Sequence, residues 1–407
     1  RIILAIKRLP PCSEKDEMLA FFRLPIERLT LSDLCDRHKG RRFLNLLTAD
    51  PDTYLPVLHR VVMESRGRLK EELPYEGTGV GRREVIHKLR DLAQFEEYFE
   101  LSEEIVYAFC KEEAPSAYIN TATSYWCSWF QAYFDFTTYP YEKRLALLAR
   151  RAEDGDEIDK HLVIEAIKNP FPQVSETVPS QRVGGRIAPP ELNFIRIEQI
   201  ELAKSRIPQI VRVLLRCPQN DIRQKVANAI VESRLHWLWV RAMDEYIQMV
   251  TDKAFPIDAK RRLVADVRHY VDLLSTYDTI DHEIAHADIG RNQIIERHRQ
   301  LLEIIDDGDP IIDLIEVAEH EMWEAEDPAT PLHKKLSILA EQCLENKRLF
   351  EEAVEILGSP EKSGGHFFGR LLGERLSEEQ VMVIENMVKQ VGFSRFTYSA
   401  LTTAAEV

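Results

Sequence analysis

Paired cysteines are missing from this sequence. Its 407 residues include six cysteines, and none of them forms a Cys-x-x-Cys pair. Several lie in apolar helical stretches, where a reduced thiol behaves as a small core side chain. We therefore expect a reducing compartment, the cytoplasm, rather than an oxidising one.

Long apolar runs are missing as well. The apolar stretch from Ile2 to Ile6 is too short to cross a membrane and is followed at once by Lys7. We therefore expect no membrane partner. The chain begins with Arg1 rather than Met, so we expect it to be a portion of a longer polypeptide.

Strand patterns are absent, and helical spacing takes their place. No segment alternates apolar and polar residues between hairpin turns for long enough to predict a sheet. Apolar residues recur instead at intervals of three and four, as in Tyr54, Leu55, Leu58, Val61 and Val62. The sequence therefore predicts an all-α fold, with helix well above the usual share of about one third.

The overall charge excludes one class of partner. Charged residues make up 30% of the chain, and the formal net charge is -15. An acidic protein repels nucleic acid unless a local basic patch overrides the repulsion, and the Lys and Arg clusters here lie beside acidic residues. We expect no nucleic-acid partner.

Several helix starts can be located from local chemistry. Asp50-Pro51 and Pro115-Ser116 place proline at or near a first turn. The segment from Ser377 to Gln380 is a capping box, in which the Ser side chain accepts a backbone N–H and Gln reaches back. These signals divide the chain into short helices.

A segment rich in proline and glycine divides the chain near its middle. We predict an N-terminal helical segment at 1–73, joined to an upstream domain, and a helical-hairpin array at 74–170. The segment 171–190 is either a linker or an ordered loop, and a second hairpin array follows at 191–407. Without a strict repeat, the expected arrangement is an irregular α-solenoid of antiparallel hairpins, similar to a tetratricopeptide or HEAT superhelix.

One segment matches a zinc-protease motif. His282, Glu283 and His286 fit His-Glu-x-x-His, in which two histidines on one helical face bind zinc and the glutamate acts as general base. Asp288 follows where an apolar residue is expected, and no third ligand is marked. A zinc metallohydrolase is therefore kept as an alternative function.

Other catalytic and cofactor motifs are incomplete. The glycine-rich stretch from Gly77 to Arg83 lacks the Gly-Lys-Ser/Thr of a phosphate loop. No Gly-x-Ser-x-Gly elbow is present, and no cysteine lies beside a histidine as a nucleophile would. We predict that this chain alone is not an enzyme and carries no cofactor.

A group of aromatic residues lies in the first hairpin array. Their spacing is mostly helical, which is typical of packing between helices rather than of a base-stacking platform. We predict a core role for Trp126, Trp129, Phe130, Tyr133, Phe134 and Phe136, and likewise for Trp237 and Trp239.

Several short motifs resemble one known family. They are Gly81-Arg82-Arg83-Glu84-Val85, Leu89, Leu92-Ala93, Glu97-Tyr98-Phe99, Asn120-Thr121-Ala122 with Trp126 and Phe130, Arg144-Leu145, Leu147-Leu148, Tyr277-Asp278 with Asp281, Phe368-Gly369 and Leu372-Gly373. In this order the motifs resemble the C-terminal helical sensor region of bacterial antiviral STAND NTPases, the Avs proteins, which are NLR-like anti-phage proteins. The resemblance covers most of residues 50–375.

The resemblance implies a sensing role. In that family an effector and an NTPase precede a repeat region that recognises a phage protein, such as a terminase or portal subunit. It implies that an upstream NTPase binds ATP and Mg²⁺, and that ligand binding drives oligomerisation and effector activation. Arg182 and Arg186 are the candidate partner contacts. A helical scaffold with a host partner is the remaining alternative.

Overall fold

The structure is a computed structural model of the chain. It describes residues 6, 9, 12–20, 29–74, 80–113, 121–132, 136–171, 182–187, 196–276, 290–319, 327–362 and 364–407. These residues form 22 helices and one short β-hairpin. The predicted all-α class is confirmed.

The chain divides into two compact units, Arg1–Ala254 and Phe255–Val407. The four segments proposed from the sequence stay a prediction. The first unit contains α1 Ser13–Ala20, α2 Leu31–Cys35, α3 Arg37–Ala49, α4 Pro51–Glu64, α5 Leu69–Glu72, α6 Arg82–Ala93, α7 Glu96–Lys111, α8 Ala122–Ser128, α9 Tyr141–Asp154, α10 Glu157–Lys168, β1 Arg182–Val183, β2 Arg186–Ile187, α11 Ile197–Leu215, α12 Asn220–Glu232, α13 Arg234–Trp239 and α14 Met243–Val250.

The second unit is described by itself. It contains α15 Ile257–Thr276, α16 Arg291–Ile305, α17 Pro310–Glu319, α18 Pro331–Glu345, α19 Lys347–Leu357, α20 His366–Gly373, α21 Glu378–Val391 and α22 Arg395–Glu406. Across the described parts of both units, no helix combines the length and the apolar character that a membrane span requires.

Neighbouring hairpins in the first unit stack helix on helix. Consecutive helices α9 and α10 form one hairpin, and α11 and α12 form the next. Across the two hairpins, α9 packs on α11 and α10 packs on α12. Continuation of this stacking along the whole chain, as a solenoid, stays a prediction.

Aromatic side chains fill the core of the first unit. Trp126 is fully buried, and Trp129 and Phe130 are each 1% exposed. Ring contacts extend the group, with Phe99 stacked 4.5 Å from Tyr139 between centroids. The predicted core role of these three residues is confirmed, as is that of Trp237. Phe136 and Trp239 are only half-buried, and Tyr133 and Phe134 lie outside the described residues.

The helix starts predicted from local chemistry are largely confirmed. The Asp50 side chain accepts the Thr53 N–H at the start of α4, and Pro51 is its first residue. Ser377 and Gln380 form the reciprocal capping box of α21. Pro115-Ser116 lies outside the described residues.

The cysteines are unpaired thiols. Cys110, Cys217 and Cys343 are buried in the helical core, as predicted. Burial raises the pKa of the Cys343 thiol to about 12, so this side chain stays a neutral, apolar core group.

The segment 171–190 contains a hairpin that the sequence does not predict, because strands of two residues show no alternation. Arg182 pairs with Ile187, and Val183 with Arg186. The hairpin contacts two distant helices: the Gly184 N–H donates to the Thr48 carbonyl at 2.9 Å, and the Lys15 ammonium donates to the Gly184 carbonyl at 2.6 Å. For these six residues the contacts favour an ordered loop over a linker.

Helices α20 and α22 of the second unit approach unusually closely. A Cβ atom added at Gly369 would lie 2.5 Å from the Phe396 carbonyl oxygen, and one added at Gly373 would lie 2.6 Å from that of Ala400. Real Cβ atoms do not come this near. Glycine at these two positions therefore lets the helix backbones touch.

Candidate functional site

A groove of about 350 Å³ runs between α9 and α11 in the first unit. Its residues recur at helical spacing, so each helix contributes one face. The groove is lined by Glu142, Leu145, Ala146, Ala149, Arg150 and Glu153 from α9, and by Arg206, Gln209, Ile210 and Val213 from α11.

The floor of the groove is apolar. Leu145 and Ile210 are each 3% exposed and form its base. Ala149 and Val213 are half-buried above them. Because Ala146 and Ala149 carry only a methyl group, the two helices leave a channel where larger side chains would have filled the space.

The rim of the groove is charged and of mixed sign. At one end the Arg206 guanidinium lies 3.9 Å from the Glu142 carboxylate. Arg150 and Glu153 are exposed farther along α9 and form no ion pair with any residue that the structure describes. The rim therefore offers one charge of each sign to an incoming partner.

The inner face of α9 is anchored by a buried arginine. Arg144 is fully buried, and its Nη1 donates to the Trp129 carbonyl at 2.6 Å. Its guanidinium lies 4.7 Å from the ring centroid of Tyr141, whose hydroxyl donates to the Phe130 carbonyl at 2.9 Å. These contacts tie the groove wall to the aromatic core.

A buried ion pair fixes the end of α9. Both terminal nitrogens of Arg151 donate to the carboxylate of Glu103 on α7, and Trp126 Nε1 donates to the same carboxylate at 2.6 Å. Burial lowers the pKa of the guanidinium, but the hydrogen bonds and charge of Glu103 outweigh it, so the pKa of Arg151 is raised. The Arg151 guanidinium therefore stays charged.

A second contact joins α7 to α10 beside this ion pair. The Tyr107 hydroxyl donates to Asp159 at 2.5 Å, and the Arg151 guanidinium lies 3.5 Å from the Tyr107 ring centroid. Burial, followed by the hydrogen bond to Asp159, raises the pKa of Tyr107. The phenol therefore stays neutral and acts as a hydrogen-bond donor.

A second pocket, of about 480 Å³, is lined by polar residue types, which include a cysteine and a histidine. It is lined by Thr121, Thr123, Ser124, Cys127, Glu165, Lys168, Asn169, Glu232 and His236. Burial, with a smaller contribution from the charge of Glu165, raises the pKa of the Cys127 thiol. Burial lowers the pKa of His236. A protonated thiol is not the thiolate that nucleophilic catalysis requires.

The two arginines named from the sequence lie in the short hairpin. Arg186 pairs with Glu97 at 2.5 Å and donates to the Tyr98 hydroxyl at 3.1 Å, so its charge is engaged within the first unit. Arg182 forms part of β1. The zinc-motif residues His282, Glu283 and His286 lie outside the described residues.

The groove is the feature that sequence reasoning missed. Its α9 face carries a visible signal, since Ala146 and Ala149 interrupt a run of larger apolar residues in an amphipathic helix. The α11 face begins more than 50 positions later in the sequence. No local pattern shows that the two faces meet.

No protein-family model, curated protein or solved structure matches this chain. The resemblance to STAND sensor regions therefore stays a prediction.

Proposed function

We propose that this chain is a recognition region that binds another protein, with the groove between α9 and α11 as a contact surface. The observation that carries the proposal is an apolar floor, built on Leu145 and Ile210, beneath a rim of mixed charge. Such a channel accepts the apolar face of a helix or loop, and the rim charges orient it. Each large apolar side chain buried there contributes roughly 1.5–3 kcal/mol.

The family resemblance supplies the finer proposal. The bound protein is a phage component, such as a terminase or portal subunit, and the chain is the sensor of an anti-phage STAND NTPase. Binding then favours an oligomeric, active state of the longer polypeptide, whose upstream NTPase uses ATP and Mg²⁺. Such a switch requires that the ligand bind the active state more tightly than the resting state.

Co-expression with individual phage proteins tests both levels of the proposal. The chain serves as bait, and single terminase and portal proteins serve as prey. We expect one of them to be retained. Ala149→Arg places a long charged side chain over the groove floor and should weaken that retention at least about tenfold, equivalent to about 1.4 kcal/mol.

The matched control is Ala405→Arg, the same substitution at an exposed position of α22. It should leave retention unchanged. The sensor proposal fails if no phage protein is retained. The groove proposal fails if the two variants behave alike. Retention of a host protein alone, lost in Ala149→Arg, would support the scaffold alternative instead.

A further inference from the structure

Three metal-ligating side chains converge where α10 packs on α12, away from the groove. Glu157 and His161 lie one turn apart on α10, and Asp221 lies in the first turn of α12. One donor atom from each lies within 4.8 Å of the other two. Among the residues that the structure describes, this is the one group of three such side chains.

The spacing of the donor atoms fits a single ion. His161 Nε2 lies 3.7 Å from Glu157 Oε1 and 3.6 Å from Asp221 Oδ2. In a tetrahedral zinc site with bonds of about 2.0–2.2 Å, ligand atoms lie about 3.3–3.6 Å apart. The two distances from His161 come within a few tenths of an ångström of that value, and the two carboxylate oxygens lie within 4.8 Å of each other.

The donor set also suits zinc. Two carboxylates and one imidazole are typical ligands of zinc, and the imidazole favours a transition metal over Mg²⁺ or Ca²⁺. The carboxylate side chains of Glu157 and Asp221 are 61% and 56% exposed, so water can take the fourth position.

Lys225 competes with a metal ion for His161. Its ammonium group donates to His161 Nδ1 at 3.3 Å, which leaves the proton of a neutral imidazole on Nε2. A metal-bound histidine has the opposite arrangement, with the metal on one ring nitrogen and the other ring N–H donated to an acceptor. Lys225 is exposed, so its side chain can turn away when the metal binds.

We propose that Glu157, His161 and Asp221 form a zinc site that joins α10 to α12, and that Lys225 weakens it. The ion would connect two successive hairpins through helices that do not line the groove. This site stands independently of the proposed recognition function.

Zinc titration of the whole chain tests the proposal. Binding is measured with zinc chloride against a competing chelating dye, together with the thermal unfolding midpoint. We expect the wild-type chain to bind zinc with a higher midpoint, and His161→Ala to lose one equivalent. The matched control is His59→Ala, because His59 contacts Glu104 at 2.6 Å but belongs to no group of three ligands among the described residues. It should bind zinc as the wild type does.

A third variant separates this site from the sequence motif. If His286→Ala removes the equivalent and His161→Ala does not, zinc binds at the His-Glu-x-x-His segment and the proposal is wrong. It is equally wrong if the wild-type chain binds no zinc, because the group is then only a solvated ion-pair cluster.

Lys225→Glu gives the sharpest test. A carboxylate there can accept the Nδ1 proton of a zinc-bound His161, so zinc affinity should rise about tenfold. Arg223→Glu makes the same change of charge on the same helix and should have a smaller effect. Equal gains in the two variants would mean that net charge alone governs binding, which would overturn the role assigned to Lys225.

Discussion

The two units use charge in different ways. In the first unit the side chains of Glu103 and Arg151 are 2% and 12% exposed. In the second unit Arg268 bridges Asp306 and Asp313, and all three side chains are about a fifth exposed. The first pair has lost most of its access to water, whereas the second group has kept a larger part of it. The more deeply a charge is buried, the more the stability of the fold depends on the single partner of that charge.

The number of partners differs as well. In the second unit Asp313 also accepts from Lys335, at 2.8 Å. If one member is removed, the others keep a charged neighbour or gain water. In the first unit Glu103 is the carboxylate that pairs with Arg151. The comparison predicts a steep response to substitution in the first unit and a graded one in the second.

The largest effect is expected from Glu103→Ala. The change leaves the Arg151 guanidinium buried without its carboxylate and removes the acceptor of the Trp126 N–H. We expect the free energy of unfolding of the first unit to fall by about 3–5 kcal/mol. Urea unfolding followed by tryptophan fluorescence measures it, since four of the five tryptophans precede Ala254.

The neighbouring residue provides the control for this prediction. Glu104 is 53% exposed on its side chain and pairs with His59 on the surface. Glu104→Ala should cost below about 1 kcal/mol. Equal losses in the two variants would remove the distinction between buried and exposed carboxylates on α7.

A smaller effect is expected from Arg268→Ala. Asp313 keeps Lys335 as a partner, and Asp306 becomes more hydrated, so the loss should be about 1–2 kcal/mol. Hydrogen exchange of the amides in α15 to α17 measures it within the second unit. Lys260→Ala, which removes a single surface contact to Asp307, is the control. A loss as large as that of Glu103→Ala would contradict the graded response.

The smallest expected effect is a change of stability with pH. It involves Glu316, which lies close to Arg268 and Lys335. Burial raises the pKa of Glu316 above its ordinary value near 4.5, although Lys335 and Arg268 oppose the shift. The folded state therefore holds the Glu316 proton more tightly than the unfolded state does. This carboxyl penalises folding only once it ionises, so its effect is to lower stability as the pH rises from 4.5 through the raised pKa.

Glu316→Gln has no proton to lose at this position. Its thermal midpoint should fall less than that of the wild type between roughly pH 4 and pH 7. Glu319→Gln removes a carboxylate from the same helix and serves as the control. If wild type and Glu316→Gln give parallel curves, ionisation of Glu316 does not influence folding.

Local interactions were readable from the sequence. The capping box of Ser377 and Gln380, the Asp50-Pro51 helix start and the core position of Trp126 all follow from residues within a turn or two of one another. Within such distances, side-chain chemistry and helical spacing determine the outcome with little help from the rest of the chain.

Interactions between residues far apart in the chain could not be predicted from the sequence. Glu103 and Arg151 lie 48 positions apart, and each alone resembles an ordinary surface charge. The groove and the zinc cluster likewise depend on which hairpins stack. Glu157 and His161 show a suggestive spacing of four, but Asp221 joins them only because α10 packs on α12. The His-Glu-x-x-His match is a local pattern whose residues lie outside the described ranges, so it stays a prediction.

The contact between α20 and α22 limits the substitutions that this sequence can accept during evolution. Any replacement of Gly369 or Gly373 adds at least one carbon atom where the opposing backbone already lies. No residue is smaller than glycine, so neither position has a conservative substitution. At Glu103, by contrast, glutamine is a substitution of similar size and shape. We therefore expect substitutions to accumulate on the outward faces of the two helices and not where the helices contact each other.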